Sequence, residues 1–296
     1  MYEPEPALHD RLEIALDGKH AQTSGDVEAV EIFNRDSETP ILIIADHAGR
    51  DIPSYLQQLG LSEEERSRHI AYDIGSADMA RRLAVRLNAT AVLNHISRLV
   101  IDPNRYPGSS SSIPKIADGT FVPGNQDIDE EEYKHRIRLS FVPYHRAISR
   151  AIARLRRQNG KPPVIISMHS FTPRMQKEWR PWEVGVLWSA DDRLAKPVLA
   201  ALRDENDLVV GDNQPYAGDH PDSYSLLFHA KRPCFPNIAF EVRQDLIGTR
   251  EQAEAWADRL HKVLQPALSD PTLYRLWGIW RRFADDDCAA VADARS

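Results

Sequence analysis

The chain has 296 residues, enough for one large α/β domain or two small ones, and 42% of them are hydrophobic, so it can bury a full core. The formal net charge of −7 argues against a nucleic-acid partner, because no basic excess is available to neutralise phosphates. The two cysteines, Cys234 and Cys288, indicate a reducing compartment without a disulfide framework.

No apolar run approaches the ~20 residues that span a bilayer, so we expect no membrane partner. The first residues are acidic and no apolar stretch follows them, which predicts that there is no secretory signal and that the protein is cytoplasmic. We expect a polar segment over residues 1–25, a single domain over 26–284 and a polar tail over 285–296. No feature of the sequence indicates an oligomeric state.

Short apolar runs alternate with helical patterns along the chain. Strands are predicted at residues 27–33 (a weak edge strand), 41–45, 91–93, 164–168, 182–188, 208–210 and 238–242. Helices are predicted after Pro53, after Ser62, and at residues 74–87, 129–158 (with a break at Pro143), 250–268 and 272–284. This alternation predicts an α/β fold, a three-layer αβα sandwich around a mixed, mostly parallel sheet. The Gly/Ser/Pro-rich loop at 107–127 is long enough to be a lid over a site.

Two histidines stand where predicted strands end. His47 comes two residues after the run 41–45, and His169 directly follows the run 164–168. A single histidine of this kind is more often a core residue bonded to the backbone. Because the carboxyl ends of parallel strands meet at one edge of a sheet, a pair of them favours a shared ligand site. Imidazoles in such a pair predict a bound Zn²⁺ or another divalent metal.

A carboxylate is expected to complete the metal site; Asp73 is the predicted ligand, and Asp46 is its rival. Asp73 begins the predicted helix 74–87 and can turn toward the strand ends, although aspartate at that position also commonly caps a helix. Asp46 precedes His47, so in a strand it would point to the opposite face. In a loop Asp46 could instead be a ligand or could support an imidazole from behind.

Glu241, at the end of the apolar run 238–240, is the predicted general base. A carboxylate in this position can take a proton from the attacking water and return it to the leaving nitrogen. The alternative is a buried ion pair with Arg243. Either way a specific partner is expected, because a carboxylate is costly to bury alone.

A candidate anion pocket consists of Arg98, Asn104 and Arg105, which follow the predicted strand 91–93, together with Arg243. Arginine suits this role because it binds carboxylates through two parallel hydrogen bonds. The alternative to such a pocket is a set of surface salt bridges. The predicted substrate-binding residues are Asn104, Arg105, Arg243, Ser170 and Tyr216, and Arg98 is predicted to act beside Glu241 in catalysis. Residues expected to support the site from behind are Asp46, Asp102, His145 and His229, with helix packing as the alternative for His145.

Five sequence blocks resemble those of the N-formylglutamate amidohydrolase family. They are DHAGRDIP at 46–53, HIAYDIG at 69–75, RLVIDPNR at 98–105, SMHSFTP at 167–173 and FEVRQDL at 240–246. The resemblance implies a phosphorylase/hydrolase-like αβα fold shared with zinc carboxypeptidases. It also implies hydrolysis of N-formyl-L-glutamate to formate and L-glutamate, the last step of one histidine-degradation route.

The order of these residues is also similar to that of zinc-dependent N-acetylmuramoyl-alanine amidases. That similarity implies His47, Asp73 and His169 as ligands and Glu241 as base. The Asn104-Arg105 pair resembles the pair that holds the substrate carboxylate in carboxypeptidases.

We therefore expect a metal-dependent amidohydrolase that acts on a small N-acyl amino acid. Signatures of serine hydrolases, P-loop and dinucleotide-binding proteins and H-E-x-x-H metalloproteases are absent from the sequence. One alternative is a peptidoglycan-type amidase or carboxypeptidase, against which the expected lack of an export signal argues. The other is a non-catalytic small-acid binding protein on the same fold.

Overall fold

A computed structural model describes residues 27–220 and 223–277. The predicted segment 1–25, the tail 285–296, Cys288 and most of the predicted helix 272–284 lie outside these residues. In the described ranges every helix is too short or too polar to traverse a lipid bilayer.

The strands are β1 Val30–Phe33, β2 Ile41–Ala45, β3 Thr90–Asn94, β4 Ile116–Ala117, β5 Thr120–Phe121, β6 Val164–Phe171, β7 Arg174–Met175, β8 Glu178–Trp179, β9 Val184–Leu187, β10 Val210–Asp212 and β11 Asn237–Arg243. Seven of them form one mixed sheet in the order β1-β3-β2-β6-β11-β9-β10. Neighbouring strands among β3, β2, β6 and β11 are parallel, β1 is an antiparallel edge, and β9 runs antiparallel to β11.

Helices cover both faces of this sheet. They are α1 Glu63–Arg66, α2 Ser76–Leu87, α3 Glu130–Arg136, α4 Val142–Asn159, α5 Ala195–Asp204 and α6 Arg250–Leu268. Short 3-10 turns lie at Ser54–Gly60, Pro123–Asn125, Gln244–Leu246 and Pro271–Tyr274, and π-helical turns lie at Ile137–Phe141 and Leu227–Lys231. The apolar sides of α2, α5 and α6 pack on one face of the sheet, and that of α4 packs on the other. The predicted three-layer αβα sandwich is confirmed.

The central strands are buried along their whole length because both faces are covered. This is why they read as continuous apolar runs rather than as alternating patterns. Where helices were predicted, local signals set their starts: Ser62 and Glu65 form a capping box on α1, and Thr249 and Gln252 form one on α6.

Two predicted elements differ from the structure, and one helix was not predicted. The break in the helix 129–158 is a π-helical turn at Ile137–Phe141, and Pro143 follows this turn at the start of α4. Helix α5 was not predicted. In its described part, the predicted helix 272–284 is a 3-10 turn at Pro271–Tyr274 followed by extended chain.

The loop 107–127 contains the hairpin β4–β5, and it is fastened to the helical layer by a buried arginine. Arg136 donates to Asn125 Oδ1 at 2.7 Å and to the Gly124 carbonyl at 3.0 Å. On the hairpin turn, Asp118 pairs with Arg68 and with His69, each at 3.3 Å. In this structure the loop forms a wall of the neighbouring cavity, with residues 115–118 in its lining, and its closure as a lid stays a prediction.

Candidate metal centre

His47, Asp73 and His169 converge at the carboxyl end of the sheet. One ligand atom from each lies within 4.8 Å of the others, and all three side chains are buried. Oδ2 of Asp73 is 3.2 Å from Nδ1 of His47 and 2.8 Å from Nδ1 of His169. The peptide N–H of Asp73 donates to the His47 carbonyl at 2.9 Å, which holds the two segments together. The alternative role for Asp73 does not occur, because Gly75 is the N-cap of α2 and no side chain caps it.

Each imidazole has a second carboxylate behind it. Nε2 of His47 is 2.8 Å from Oδ1 of Asp102, and Nε2 of His169 is 3.2 Å from Oδ2 of Asp46. Asp46 is itself held by the Ser225 hydroxyl, which donates at 2.6 Å. Such partners fix the orientation of a ring and direct its other nitrogen toward the metal. Asp46 thus lies behind His169, and Asp73 is the carboxylate placed between the two rings.

The electrostatics of this group favour a positive charge at its centre. Burial by itself raises the pKa of Asp73, but the charges of His47 and His169 and their hydrogen bonds hold it well below its usual range. Burial likewise opposes protonation of His169, yet Asp46 and Asp73 raise the pKa of this ring well above its usual value. Two imidazoles and a carboxylate that jointly favour a cation are a donor set that suits Zn²⁺. The residues present therefore fit a divalent metal.

Glu241 lies next to this group on the neighbouring strand. The register of β11 against β6 pairs Glu241 with His169, so both side chains leave the same face of the sheet. Glu241 is buried, and its Oε2 has no hydrogen-bond partner among the described residues. Burial raises the pKa of Glu241 to about 7. A buried, unpartnered carboxylate with this pKa is suited to exchange a proton with a ligand in the cavity.

The alternative role of Glu241, a buried ion pair with Arg243, does not occur. Arg243 donates to Asp245 Oδ1 at 2.8 Å and to the Pro181 carbonyl at 3.2 Å, and it does not line the cavity. The structure therefore separates Arg243 from the other predicted substrate-binding residues.

Arg98, Asp102 and Asn104 form a linked set beside the histidines. Arg98 donates to Asp102 Oδ2 at 2.8 Å and to Asp73 Oδ1 at 3.4 Å. Burial opposes the charge of Arg98, but these two carboxylates outweigh it and raise its pKa. The amide oxygen of Asn104 accepts from the peptide N–H groups of Tyr224 and Ser225, each at 3.0 Å. Its amide nitrogen is thereby directed away from that segment.

A cavity of about 680 Å³ opens above the candidate metal centre. Its lining includes Arg98, Asn104, Arg105, Ser170 and Tyr216, which are five of the predicted site residues. The Ser170 hydroxyl donates its proton to the Ile74 carbonyl at 2.8 Å, so it has no further proton to donate to a ligand.

The Tyr216 hydroxyl accepts from Arg180 at 3.0 Å. The loop that carries Tyr216 packs against strand β9 at Gly185, where a Cβ atom would collide with the Gln214 carbonyl oxygen. Only glycine lets this loop approach the strand closely.

His145 and His229 form a stacked pair with ring centroids 5.1 Å apart. Nε2 of His145 donates to the Pro103 carbonyl at 2.9 Å, so Nδ1 accepts from Nε2 of His229 at 2.9 Å in the neutral pair. Burial lowers the pKa of His145 to about 4 and that of His229 to about 3, which keeps both rings neutral. The pair stands behind the segment that carries Asp102 and Asn104, without contact to the candidate metal ligands.

Four further basic side chains in the cavity lining were not selected from the sequence: His69, Lys115, His220 and Lys231. His69 lies inside the second resemblance block, and Lys231 lies in the π-helical turn Leu227–Lys231. A lysine in a segment with no strand or cap signal cannot be separated by pattern from the many solvated lysines of a charged chain.

Comparisons with known proteins bear on the class of reaction. A model of the N-formylglutamate amidohydrolase family matches residues 39–248. The crystal structure of the gene product Atu2144 from Agrobacterium tumefaciens is 35% identical, with a TM-score of 0.79, and the match covers 84% of this chain and 98% of that one.

N-formylglutamate amidohydrolase from Ralstonia eutropha JMP134 shares the fold at 20% identity, with a TM-score of 0.56 and coverage of 81% and 97% of the two chains. A comparison with curated proteins gave no match. The predicted resemblance is confirmed, and the reaction class that it supports is amide hydrolysis. By the extent of the family match, this chain belongs to the N-formylglutamate amidohydrolase family.

Proposed function

We propose that this protein is a metal-dependent hydrolase of small N-acyl amino acids, with N-formyl-L-glutamate as its first candidate substrate. The observation that carries the proposal is the position of Glu241. Its carboxylate is buried and unpartnered among the described residues, and it adjoins the His47, Asp73 and His169 group in one cavity. Family membership supports amide hydrolysis as the reaction, and the acyl group and amino acid belong to the proposal.

His47, Asp73 and His169 would hold the metal, through Nδ1 of each ring and Oδ2 of the carboxylate. When bound, a divalent cation polarises the scissile carbonyl and makes the attacking water more acidic. Asp102 and Asp46 keep the two rings in the orientation that presents Nδ1 to the centre. The metal affinity of the site thus depends on five side chains, of which three are ligands.

Glu241 moves the proton. It accepts a proton from water as the water oxygen bonds to the carbonyl carbon, and it then passes that proton to the amide nitrogen as the C–N bond breaks. For N-formyl-L-glutamate the products are formate and L-glutamate. The raised pKa of Glu241 makes it a better acceptor than an exposed carboxylate, because burial disfavours its charged form.

Arg98 and the pair Asn104-Arg105 supply the groups that recognise negative charge. Arg98 lies within hydrogen-bond reach of Asp73 and would stabilise the negative charge that develops on the carbonyl oxygen. Asn104 and Arg105 line the cavity and would bind the α-carboxylate of the substrate. Arg243 would not contact the substrate, because its guanidinium donates to Asp245 outside the cavity lining.

Hydrolysis assays with Zn²⁺-loaded protein test the proposal; they measure the free amine released from each compound and, for the N-formyl compounds, formate as well. The panel is N-formyl-L-glutamate, other N-formyl and N-acetyl amino acids, and a muramoyl peptide for the peptidoglycan alternative. We expect turnover of an N-acyl amino acid, its loss on chelation and its return when Zn²⁺ is restored. Tight binding of these compounds without release of any product would instead support the non-catalytic small-acid binder. A cytoplasmic location and a place in histidine degradation stay predictions.

A further inference from the structure

The catalytic cavity continues inward along the sheet beyond Glu241. His169 and Glu241 stand at one level of β6 and β11, and Gly185 of β9 pairs with Glu241 at that level. Two residues further in, Ser167, Ala239 and Leu187 are paired with one another in the same way and also line the cavity. Alternate residues of a strand share a face and lie roughly 7 Å apart.

These three residues form the floor of what we call the inner pocket. The Ser167 hydroxyl lies 3.0 Å from Nε2 of His169, so this ring covers the Ser167 side of the floor. The room left between the floor and the catalytic level lies over Ala239, whose side chain is short. An amino-acid side chain attached next to the scissile amide could enter this space while the amide stays beside Glu241.

Lys231 places a positive charge at the edge of the inner pocket. Its Nζ donates to the Gly218 carbonyl, and Lys231 and Gly218 both line the cavity. Gly218 lies so close to the backbone of Trp188 that a Cβ atom would collide with it, and Trp188 follows the floor residue Leu187. These contacts place the Gly218 carbonyl, and the ammonium group that donates to it, near the end of β9 that carries Leu187.

The ammonium group of Lys231 has unused capacity for a ligand. It carries three N–H donors and no acceptor, and one carbonyl accepts from it. The described part of the chain contains no ion pair to Lys231, although the charge of Asp219 acts on it. Burial lowers the pKa of Lys231, so an anionic ligand would stabilise its charged form.

We infer that the inner pocket receives the acidic side chain of the substrate and that Lys231 pairs with its carboxylate, which makes Lys231 a specificity-determining residue. This inference rests on the proposed function. In an extended N-formylglutamate, bond lengths place the side-chain carboxyl carbon about 6 Å from the formyl carbon of the scissile amide. That reach matches the spacing of roughly 7 Å between the two levels of the sheet. The α-carboxylate is then left for Asn104 and Arg105.

The test compares an acidic substrate with its neutral isostere. Rates are measured for N-formyl-L-glutamate and N-formyl-L-glutamine with wild-type protein and with Lys231→Met, Lys231→Arg and Arg232→Met, all loaded with Zn²⁺. Arg232 is the matched control, because it is the adjacent basic residue, is exposed and does not line the cavity.

In Lys231→Met we expect the ratio of kcat/KM for the two substrates to fall by roughly tenfold to a hundredfold, the size of a hydrogen bond between charged groups. The glutamine substrate should change by less than about threefold, Lys231→Arg should recover part of the ratio, and Arg232→Met should keep it. An equal loss on both substrates would show that Lys231 only ties down the Gly218 loop. An unchanged ratio would show that it does not meet the side chain.

A binding measurement separates failure of this inference from failure of the proposed function. If the wild-type protein hydrolyses neither substrate, the proposed function is wrong for them. Calorimetric titration of Zn²⁺-loaded protein with glutarate and with butyrate then decides the role of Lys231. The inference requires glutarate binding to weaken at least about tenfold in Lys231→Met while butyrate binding stays the same. Equal glutarate affinity in the two proteins would overturn it.

Discussion

Glu241 and His169 stand side by side on neighbouring parallel strands, although 71 residues of sequence separate the two positions. Because β6 and β11 are both central, this relationship is fixed by strand register rather than by a loop.

Glu241→Gln keeps the shape of the side chain and removes its basicity. We expect this variant to lose about 10²- to 10⁴-fold in kcat, the usual contribution of a general base.

The same variant should still bind Zn²⁺, because Glu241 is not one of the three residues proposed to hold it. Metal content is measured by elemental analysis alongside turnover, with the exposed Glu251→Gln on α6 as the matched control. Turnover equal to that of the wild type would rule out Glu241 as the base. Loss of metal would mean that it is a ligand.

Asp102→Asn tests the support behind His47. The carboxylate of Asp102 orients this ring from its Nε2 side and also pairs with Arg98. We expect Zn²⁺ affinity or activity to fall about 10- to 100-fold, as is typical when such a partner of a metal-binding histidine is removed. Affinity is measured by competition with a chromogenic chelator, with the exposed Asp36→Asn as control. Unchanged affinity together with unchanged activity would refute the role.

Gly185→Ala tests the close approach of the Tyr216 loop to the sheet. The added Cβ would collide with the Gln214 carbonyl oxygen and lie 3.4 Å from Cβ of Glu241. We expect the free energy of unfolding to fall by about 1–3 kcal/mol, the usual cost of overpacking, and activity to fall as the loop shifts. Urea denaturation measures the change. Gly248→Ala is the control, since its nearest atom would be 3.8 Å away; equal stability of the two variants would contradict the prediction.

The pair His145 and His229 predicts a loss of stability in mild acid. Their pKa values in the folded protein, about 4 and about 3, lie below the usual value of 6.5. Between pH ~6.5 and ~4 the unfolded chain therefore binds protons that the folded protein does not, so this pair lowers the free energy of unfolding as the pH falls. Above pH ~6.5 the penalty is absent.

Replacement of one of these rings should reduce that pH dependence. In His229→Gln we expect proton uptake on unfolding at pH 5 to be smaller by about one proton than in the wild type. The slope of the free energy of unfolding against pH, from urea denaturation between pH 4 and 7, gives this number. His261→Gln on α6 serves as the control. If wild type and His229→Gln have the same slope, the histidine pair is not buried in the neutral state.

Local patterns in the sequence were sufficient for most of the sheet. The runs 41–45 and 164–168 are apolar at every position because helices cover both faces of the strands, and they matched β2 and the greater part of β6. Helix α5 was missed, and the break before α4 was placed at Pro143 instead of at the π-helical turn. These features depend on packing between layers, which leaves little trace in a window of a few residues.

The sequence by itself determined which segments carry chemistry, because a histidine or glutamate after a buried apolar run is delivered to the edge of the sheet. It could not decide between Asp46 and Asp73 as the carboxylate between the two rings, or separate Arg243 from the cavity. Nor did it bring Lys231 to the Gly218 carbonyl in the cavity wall. Those outcomes were decided by tertiary structure, because side-chain direction in loops and at strand ends follows from contacts between segments far apart in the chain.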